Sequence, residues 1–265
     1  DHAGHYGDPG PGNRRYPGCT MTAIGSGDPG SPRCWAVLPA AGIGARMGGE
    51  LPKQYLQLAG SSLLEHSLGA LLACSRIETV AVALHPEDER AASLLILADP
   101  RVQRVTGGAQ RADSVLAGLE VLLQQAGPGD WVLVHDAARP CLAQQDLERL
   151  IAQVTGSGVG GLLAEPITDT VKRVDSHAQV LQTLDRDSLW RAQTPQMFRL
   201  RELYDALAHA LREGLAVTDE ASAMEMAGYP VQLIEGSPRN LKVTRPIDLE
   251  LAAWYLAADS SAREQ

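Results

Sequence analysis

Gly42, Gly44, Arg46 and Lys53 lie close together in the stretch AVLPAAGIGARMGGELPKQY, residues 36–55. Glycines after an apolar run let the backbone turn sharply and come close to a ligand. Successive N–H groups in such a turn can cradle phosphate oxygens. Two cations beside it suit phosphoryl or nucleotidyl transfer, where charge spread over phosphate oxygens must be stabilised. A dinucleotide fingerprint needs a third glycine and an immediate helix. Met47 stands at the third position, and Gly48, Gly49 and Pro52 interrupt any helix there. The second strand ends ALHP, without the acid that would bind a ribose, and the Gly-Lys-Ser/Thr of a Walker loop is missing.

Further candidates lie downstream. Gly107-Gly108 precedes a helical pattern that contains Ser114. Asp136 and Arg139 fall in HDAARP, just past an apolar strand, at the edge where open parallel sheets bind ligands. A carboxylate there can order the water shell of Mg²⁺ or accept from a substrate hydroxyl. Arg186 follows a polar hairpin, and Lys242 falls in a short segment, 240–243, that reads as a strand. Each has a structural alternative: Ser114 as a helix cap, Asp136 as a turn residue, Arg139 as an ion-pair partner, and Lys242 as an exposed edge lysine. Asp219-Glu220 reads as a helix start, and His135 as a packed residue at the sheet edge.

The elements that must position these residues alternate in type. Apolar runs at WAVLP, ETVAVAL (78–84), VQRV (102–105) and DWVLVHD (130–136) read as strands. Helical periodicity places Leu63, Leu64, Leu68, Leu71 and Leu72 on one face, and Val115, Leu116, Leu119, Leu122 and Leu123 on another. Residues 88–98 and 144–154 read as further helices, with two more near 199–213 and 219–227. A strand follows near 231–235, and a closing helix opens at Pro246, a residue suited to a first turn. This rhythm implies an α/β fold whose mostly parallel sheet is covered on both faces. Residues 168–186 break it with two polar alternating segments, a β-hairpin arm. Such an arm has too little apolar surface to stand alone, so a partner subunit is expected.

Composition narrows the classes. The chain has 265 residues, 45% of them hydrophobic and only 4% aromatic, enough for one sizeable α/β domain. A formal net charge of -9 removes any chain-wide basic footprint for nucleic acid. No run approaches the roughly 18 apolar residues of a membrane span. Four cysteines without Cys-x-x-Cys spacing fit free thiols in a reducing cytoplasm. Residues 1–33, rich in Gly and Pro, read as a flexible leader or a segment added before Met21. The domain is then about 34–260, with its arm at about 168–186.

Over about residues 35–257 the chain resembles the 2-C-methyl-D-erythritol 4-phosphate cytidylyltransferase family of the non-mevalonate isoprenoid pathway. The resemblance is carried by LPAAGIGARMGGELPKQY, GGAQRADSVLAGL, VLVHDAARP, DTVKR, LDRDSLWRAQTPQMF and LKVTRPIDL. It implies a Rossmann-like three-layer nucleotidyltransferase domain that moves CMP from CTP to methylerythritol phosphate, with Mg²⁺ bound mainly through the CTP phosphates and no dedicated protein metal ligands. Arg46 and Lys53 match the pair on the α-phosphate, and Arg186 and Lys242 the pair that positions the acceptor. Ala40, Ala41, Gly42 and Gly44 match the loop around the nucleotide. Gly108 and Ser114 match groups at the cytosine, and Ala137 lies beside the ribose. Asp136, Arg139 and Thr170 match the acceptor pocket. The resemblance also implies a homodimer in which the arm carries Thr170 and Arg186 into the other subunit's site. Two departures stand out: Ala109 replaces a frequent acid, and Ala45 a frequent base. Ribitol-phosphate cytidylyltransferase is the nearest alternative, and a catalytically silent nucleotide-binding protein the next.

Overall fold

The computed structural model describes residues 33–42 and 51–263. The opening apolar run forms strand β1 (Cys34–Pro39), and a short hairpin of β2 (Gln57–Leu58) and β3 (Ser61–Ser62) leads into helix α1 (Leu63–Leu72). Ser62 caps that helix: its hydroxyl accepts from the Glu65 N–H at 3.2 Å, and the Glu65 carboxylate accepts from the Ser62 N–H at 2.7 Å. This reciprocal pairing satisfies two donors that a helix start leaves over. Then come β4 (Ile77–Leu84), β5 (Val102–Thr106), α2 (Arg111–Leu123), β6 (Trp131–Val134), α3 (Gln144–Ser157) and β7 (Gly161–Pro166). The arm is β8 (Lys172–Val174) paired antiparallel with β9 (Val180–Thr183). The chain closes with β10 (Trp190–Arg199), α4 (Leu200–Arg212), α5 (Glu220–Met226), β11 (Gln232–Glu235) and α6 (Pro246–Arg263).

Seven strands make one sheet in the order β11-β7-β10-β6-β1-β4-β5. Every pairing is parallel except those of β10, which runs against both β6 and β7. Side chains alternate along a strand, and β1 shows the consequence. Ala36 and Leu38 enter a core with Leu64, Leu68 and Leu71 of α1 and Leu147, Leu150 and Ile151 of α3. Trp35 and Val37 enter the opposite core with α2, α4 and α5. Both faces are therefore covered, the three-layer arrangement that the alternating pattern implied. Val37 packs so tightly under α2 that a Cβ on Gly118 would come 2.6 Å from its Cγ1. Among the described residues, no helix is long and apolar enough to cross a membrane.

Three sequence expectations need correction. Residues 88–98 are two 3₁₀ turns, Arg90–Ser93 and Leu95–Ala98, rather than one helix. Ala91, Leu94 and Leu97 pack inward at a spacing of three, the 3₁₀ period, while Leu95 is 88% exposed. Residues 240–243 are not a strand: Val243 N–H donates to the Ala138 carbonyl at 2.9 Å, but no ladder forms. Strands β7 and β10 have no counterpart in the reading from periodicity. The buried polar residues Gln193, Thr194 and Gln196, around Pro195, disguise β10. The expected leader lies outside the described residues except for Arg33, and so do Gly44 and Arg46.

Candidate active site

The site forms beyond the C-terminal ends of β1, β5 and β6. Past β1, the Ala40 N–H donates to the Ala83 carbonyl at 2.8 Å, and its own carbonyl accepts from Gln54 Nε2 at 2.8 Å. Gln54 belongs to the 3₁₀ turn Lys53–Tyr55, whose other anchor is Tyr55, donating to Asp88 Oδ2 at 2.6 Å. Lys53 thus opens an anchored turn at the edge of the larger cavity.

Past β5, Gly107 N–H donates to the Leu84 carbonyl at 2.7 Å. A Cβ on Gly107 would meet the Ala41 methyl at 2.4 Å, and one on Gly108 would meet Asp113 Cβ at 2.3 Å. Gly107 is dictated by the close approach of the loop after β1, and Gly108 by the first turn of α2. Ser114 is not the helix cap, a role that Gln110 holds. Its buried hydroxyl accepts from Gly108 N–H and donates to the Gln110 carbonyl, both at 3.2 Å. It shapes the turn from inside.

Past β6 stands an ionic cluster. Asp136 Oδ1 accepts from Arg111 Nε at 2.8 Å, and Oδ2 pairs with Lys242 Nζ at 2.8 Å. Arg139 Nε lies 3.7 Å from Oδ2, buried and without a hydrogen-bond partner. Burial alone would raise the Asp136 pKa, but Arg111, Lys242 and Arg139 outweigh it and hold the carboxylate ionised far below its usual range. Arg139 also donates to the Asn240 carbonyl at 2.6 Å, tying down the segment that carries Lys242. Asn240 is itself fully buried and donates to the Thr194 carbonyl at 2.8 Å.

His135 is packed, as its place at the sheet edge suggested. Burial pushes its pKa down to about 4, so the ring is neutral at pH 7. With Nε2 donating to the Arg139 carbonyl at 3.1 Å, Nδ1 accepts from the Thr194 hydroxyl at 2.9 Å. The same hydroxyl accepts from Asp136 N–H at 3.0 Å. The imidazole braces the turn that presents Asp136.

Two cavities meet at this cluster. The larger, about 420 Å³, is bordered on one side by Ala40, Ala41, Gly42 and Lys53, and on the other by Gly108 and Ser114. Asp136, Ala137 and Lys242 complete it, and Asp136 is the one carboxylate among its described lining residues. The smaller, about 210 Å³, holds Arg139, Thr194 and Gln196 and shares Arg111, Asp136 and Lys242 with the first. Thr170 and Arg186 line neither; both are exposed, and Arg186 donates to the Thr168 carbonyl at 2.5 Å.

Sequence reasoning assigned no role to Arg111 and kept Glu220 as a helix-start residue. Arg111 donates from both terminal nitrogens to Glu220, at 2.7 and 3.0 Å. A signal was present: Arg111 opens α2, where the helix dipole disfavours a cation. A base at that end needs carboxylate partners, and the structure supplies two.

The model of the 2-C-methyl-D-erythritol 4-phosphate cytidylyltransferase family matches residues 34–258. The chain belongs to this family. A Pseudomonas putida cytidylyltransferase of that name is 54% identical over 220 residues, which cover 83% of this chain and 94% of the relative. One from Ectopseudomonas mendocina is 52% identical over 230 residues, covering 86% and 96%. Among solved structures, a 4-diphosphocytidyl-2C-methyl-D-erythritol synthase is 40% identical with a TM-score of 0.73, covering 85% of this chain and 99% of its own. The Francisella tularensis cytidylyltransferase is 36% identical with a TM-score of 0.73, covering 84% and 99%. Membership makes the chain a nucleotidyltransferase, and the matched span contains both cavities and the ionic cluster between them.

Proposed function

We infer that the chain transfers CMP from CTP to 2-C-methyl-D-erythritol 4-phosphate in isoprenoid precursor synthesis. The observation that carries the reading is the pair of cavities joined through Asp136, Arg111 and Lys242, in a chain of this family. The larger takes the nucleotide, with Gly108 and Ser114 at the base, Ala137 at the ribose, and Ala40, Ala41 and Gly42 along the phosphates. The smaller takes the polyol, whose hydroxyls meet Asp136 and the Arg139 side chain.

In the reaction, an oxygen of the acceptor phosphate bonds to the α-phosphorus as the bond to pyrophosphate breaks. The nucleophile is already an anion, so no side chain has to remove a proton. Lys53 stabilises the charge that builds on the α-phosphoryl oxygens, with Arg46 as its partner. Lys242 holds the acceptor phosphate in line. The lining donors suit Mg²⁺ carried mainly by the CTP phosphates, since Asp136 places a hard carboxylate at the cleft. When bound, that ion neutralises phosphate charge.

Thr170 and Arg186 lie outside this chain's own cavities, and the arm exposes Val174, Val180 and Leu181. Both features support a homodimer in which each arm completes its neighbour's acceptor side. Burial of Cys34, Cys74 and Cys141 in the apolar cores supports a reducing cytoplasm, where thiols serve as small core residues. A pyrophosphate-release assay with CTP, Mg²⁺ and a panel of polyol phosphates tests the reading. Methylerythritol phosphate is expected to turn over best; preference for ribitol 5-phosphate would transfer the assignment to the alternative acceptor.

A further inference from the structure

Glu220 lines neither cavity and is 1% exposed, yet it grips the one arginine that faces both among the described residues. Its two oxygens accept from the two terminal nitrogens of Arg111, leaving Arg111 Nε directed at Asp136. We propose that Glu220 is a positioning residue for the acceptor side of the reaction: it fixes the plane of the Arg111 guanidinium, and through it the orientation of Asp136 and the Lys242 ammonium paired with it. The inference rests on the acceptor-side roles of Asp136 and Lys242 in the proposed function.

A single hydrogen bond from Nε would let the guanidinium swing about it. A two-pronged bond to a carboxylate removes that freedom, because the planar fork matches the planar acceptor. Glu220 is itself held fast. It opens α5, whose cap is Asp219, accepting from the Ser222 N–H at 2.9 Å. The side-chain amide of Gln196, in β10, donates to Asp219 Oδ2 at 2.9 Å and accepts from the Ala221 N–H at 2.8 Å. A rigid path therefore runs from the sheet through the first turn of α5 to Arg111, Asp136 and Lys242. Arg111, Asp136 and Lys242 also border the larger cavity, but Gly108 and Ser114, at the base, lie off this path, so the larger effect falls on the acceptor.

The competing role is charge neutralisation of a partly buried arginine, and one variant separates the two. Glu220→Asp keeps the negative charge but shortens the reach by a methylene, so the fork cannot close as before. Expected is a rise in acceptor KM of about tenfold or more, with the CTP KM within about twofold. Glu220→Gln is expected to act in the same direction. Placed on Lys242→Ala, Glu220→Asp should add little, because both act through one contact. Wild-type acceptor KM in folded Glu220→Asp, an equal rise in both KM values, or full additivity with Lys242→Ala would each overturn the proposal. Failure of the underlying acceptor assignment is distinguishable: wild-type enzyme would then not turn over methylerythritol phosphate.

Discussion

Asp136→Asn isolates what the central carboxylate does. The substitution keeps shape and size but removes the one negative charge held between Arg111, Arg139 and Lys242. Breaking a buried ion pair from one side costs about 3–5 kcal/mol, because the partner stays buried and uncompensated. Here the Arg111 and Lys242 side chains are 30% and 41% exposed, so water screens part of that cost. Arg111 also keeps Glu220. About 2–3 kcal/mol is the expected loss. For a domain of this size that lowers Tm by roughly 4–10 °C. Differential scanning calorimetry in phosphate-free buffer reads it directly. The variant should also gain more Tm than wild type from added inorganic phosphate, since an anion can then fill the gap among the cations. Wild-type Tm without phosphate, together with no extra gain from it, would refute the view that Asp136 is the counter-charge of the cluster.

Lys53→Ala should lower kcat about a hundredfold while leaving the CTP KM within about twofold, because its contribution is to charge that develops only in the transition state; steady-state pyrophosphate release measures both. Mixed dimers of Lys53→Ala and Arg186→Ala chains should regain part of the lost activity, since one hybrid site carries neither substitution; no recovery with heterodimers demonstrated would count against shared sites. His135 adds a pH dependence. Burial lowers its folded pKa from 6.5 to about 4, so its contribution to stability is full above pH 6.5 and is lost as pH falls from about 6.5 to about 4. The window spans about 3 kcal/mol at 1.36 kcal/mol per pH unit. In urea unfolding, His135→Asn should flatten that part of the stability profile, and an unchanged slope would remove His135 as its source.

The fold was readable where local pattern and tertiary environment agree. β1, β4 and β6 are continuous apolar runs because both sheet faces are covered, and α1 and α2 show their buried stripes directly. β7 and β10 break the rule for a shared reason. Gly160 and Gly161 look like loop punctuation, yet a Cβ on either would strike Phe198 at 2.2 Å or the Gln232 carbonyl at 2.5 Å. They are close-packing glycines leading into and opening a strand. β10 buries amides and a hydroxyl that Asn240, Asp219 and His135 satisfy, partners invisible to a local window. The lining of the larger cavity was legible because it occupies short stretches after single strands. The ionic cluster was not: Arg111 and Glu220 are 109 residues apart, and only their meeting gives Arg111 a purpose.

The cluster also reconciles a chain of net charge -9 with substrates that are polyanions. Exposed charges are screened beyond about 8 Å at physiological ionic strength, so the distant acidic surface contributes little at the cleft. What an incoming phosphate meets is local. Arg111, Arg139, Lys242 and, across the larger cavity, Lys53 face Asp136, Glu220 and the Asp219 of the smaller cavity, a formal surplus of one positive charge among the described residues. Because Asp136 and Arg139 are nearly buried, that surplus acts through a medium less polarisable than water and reaches further per charge. The two carboxylates keep three cations close together without substrate, where repulsion would otherwise spread them. A purely basic pocket would attract phosphate as strongly, but it would not hold Arg111 and Lys242 on opposite oxygens of one carboxylate. Both cations therefore stand at the junction of the two cavities, where the two substrates must meet.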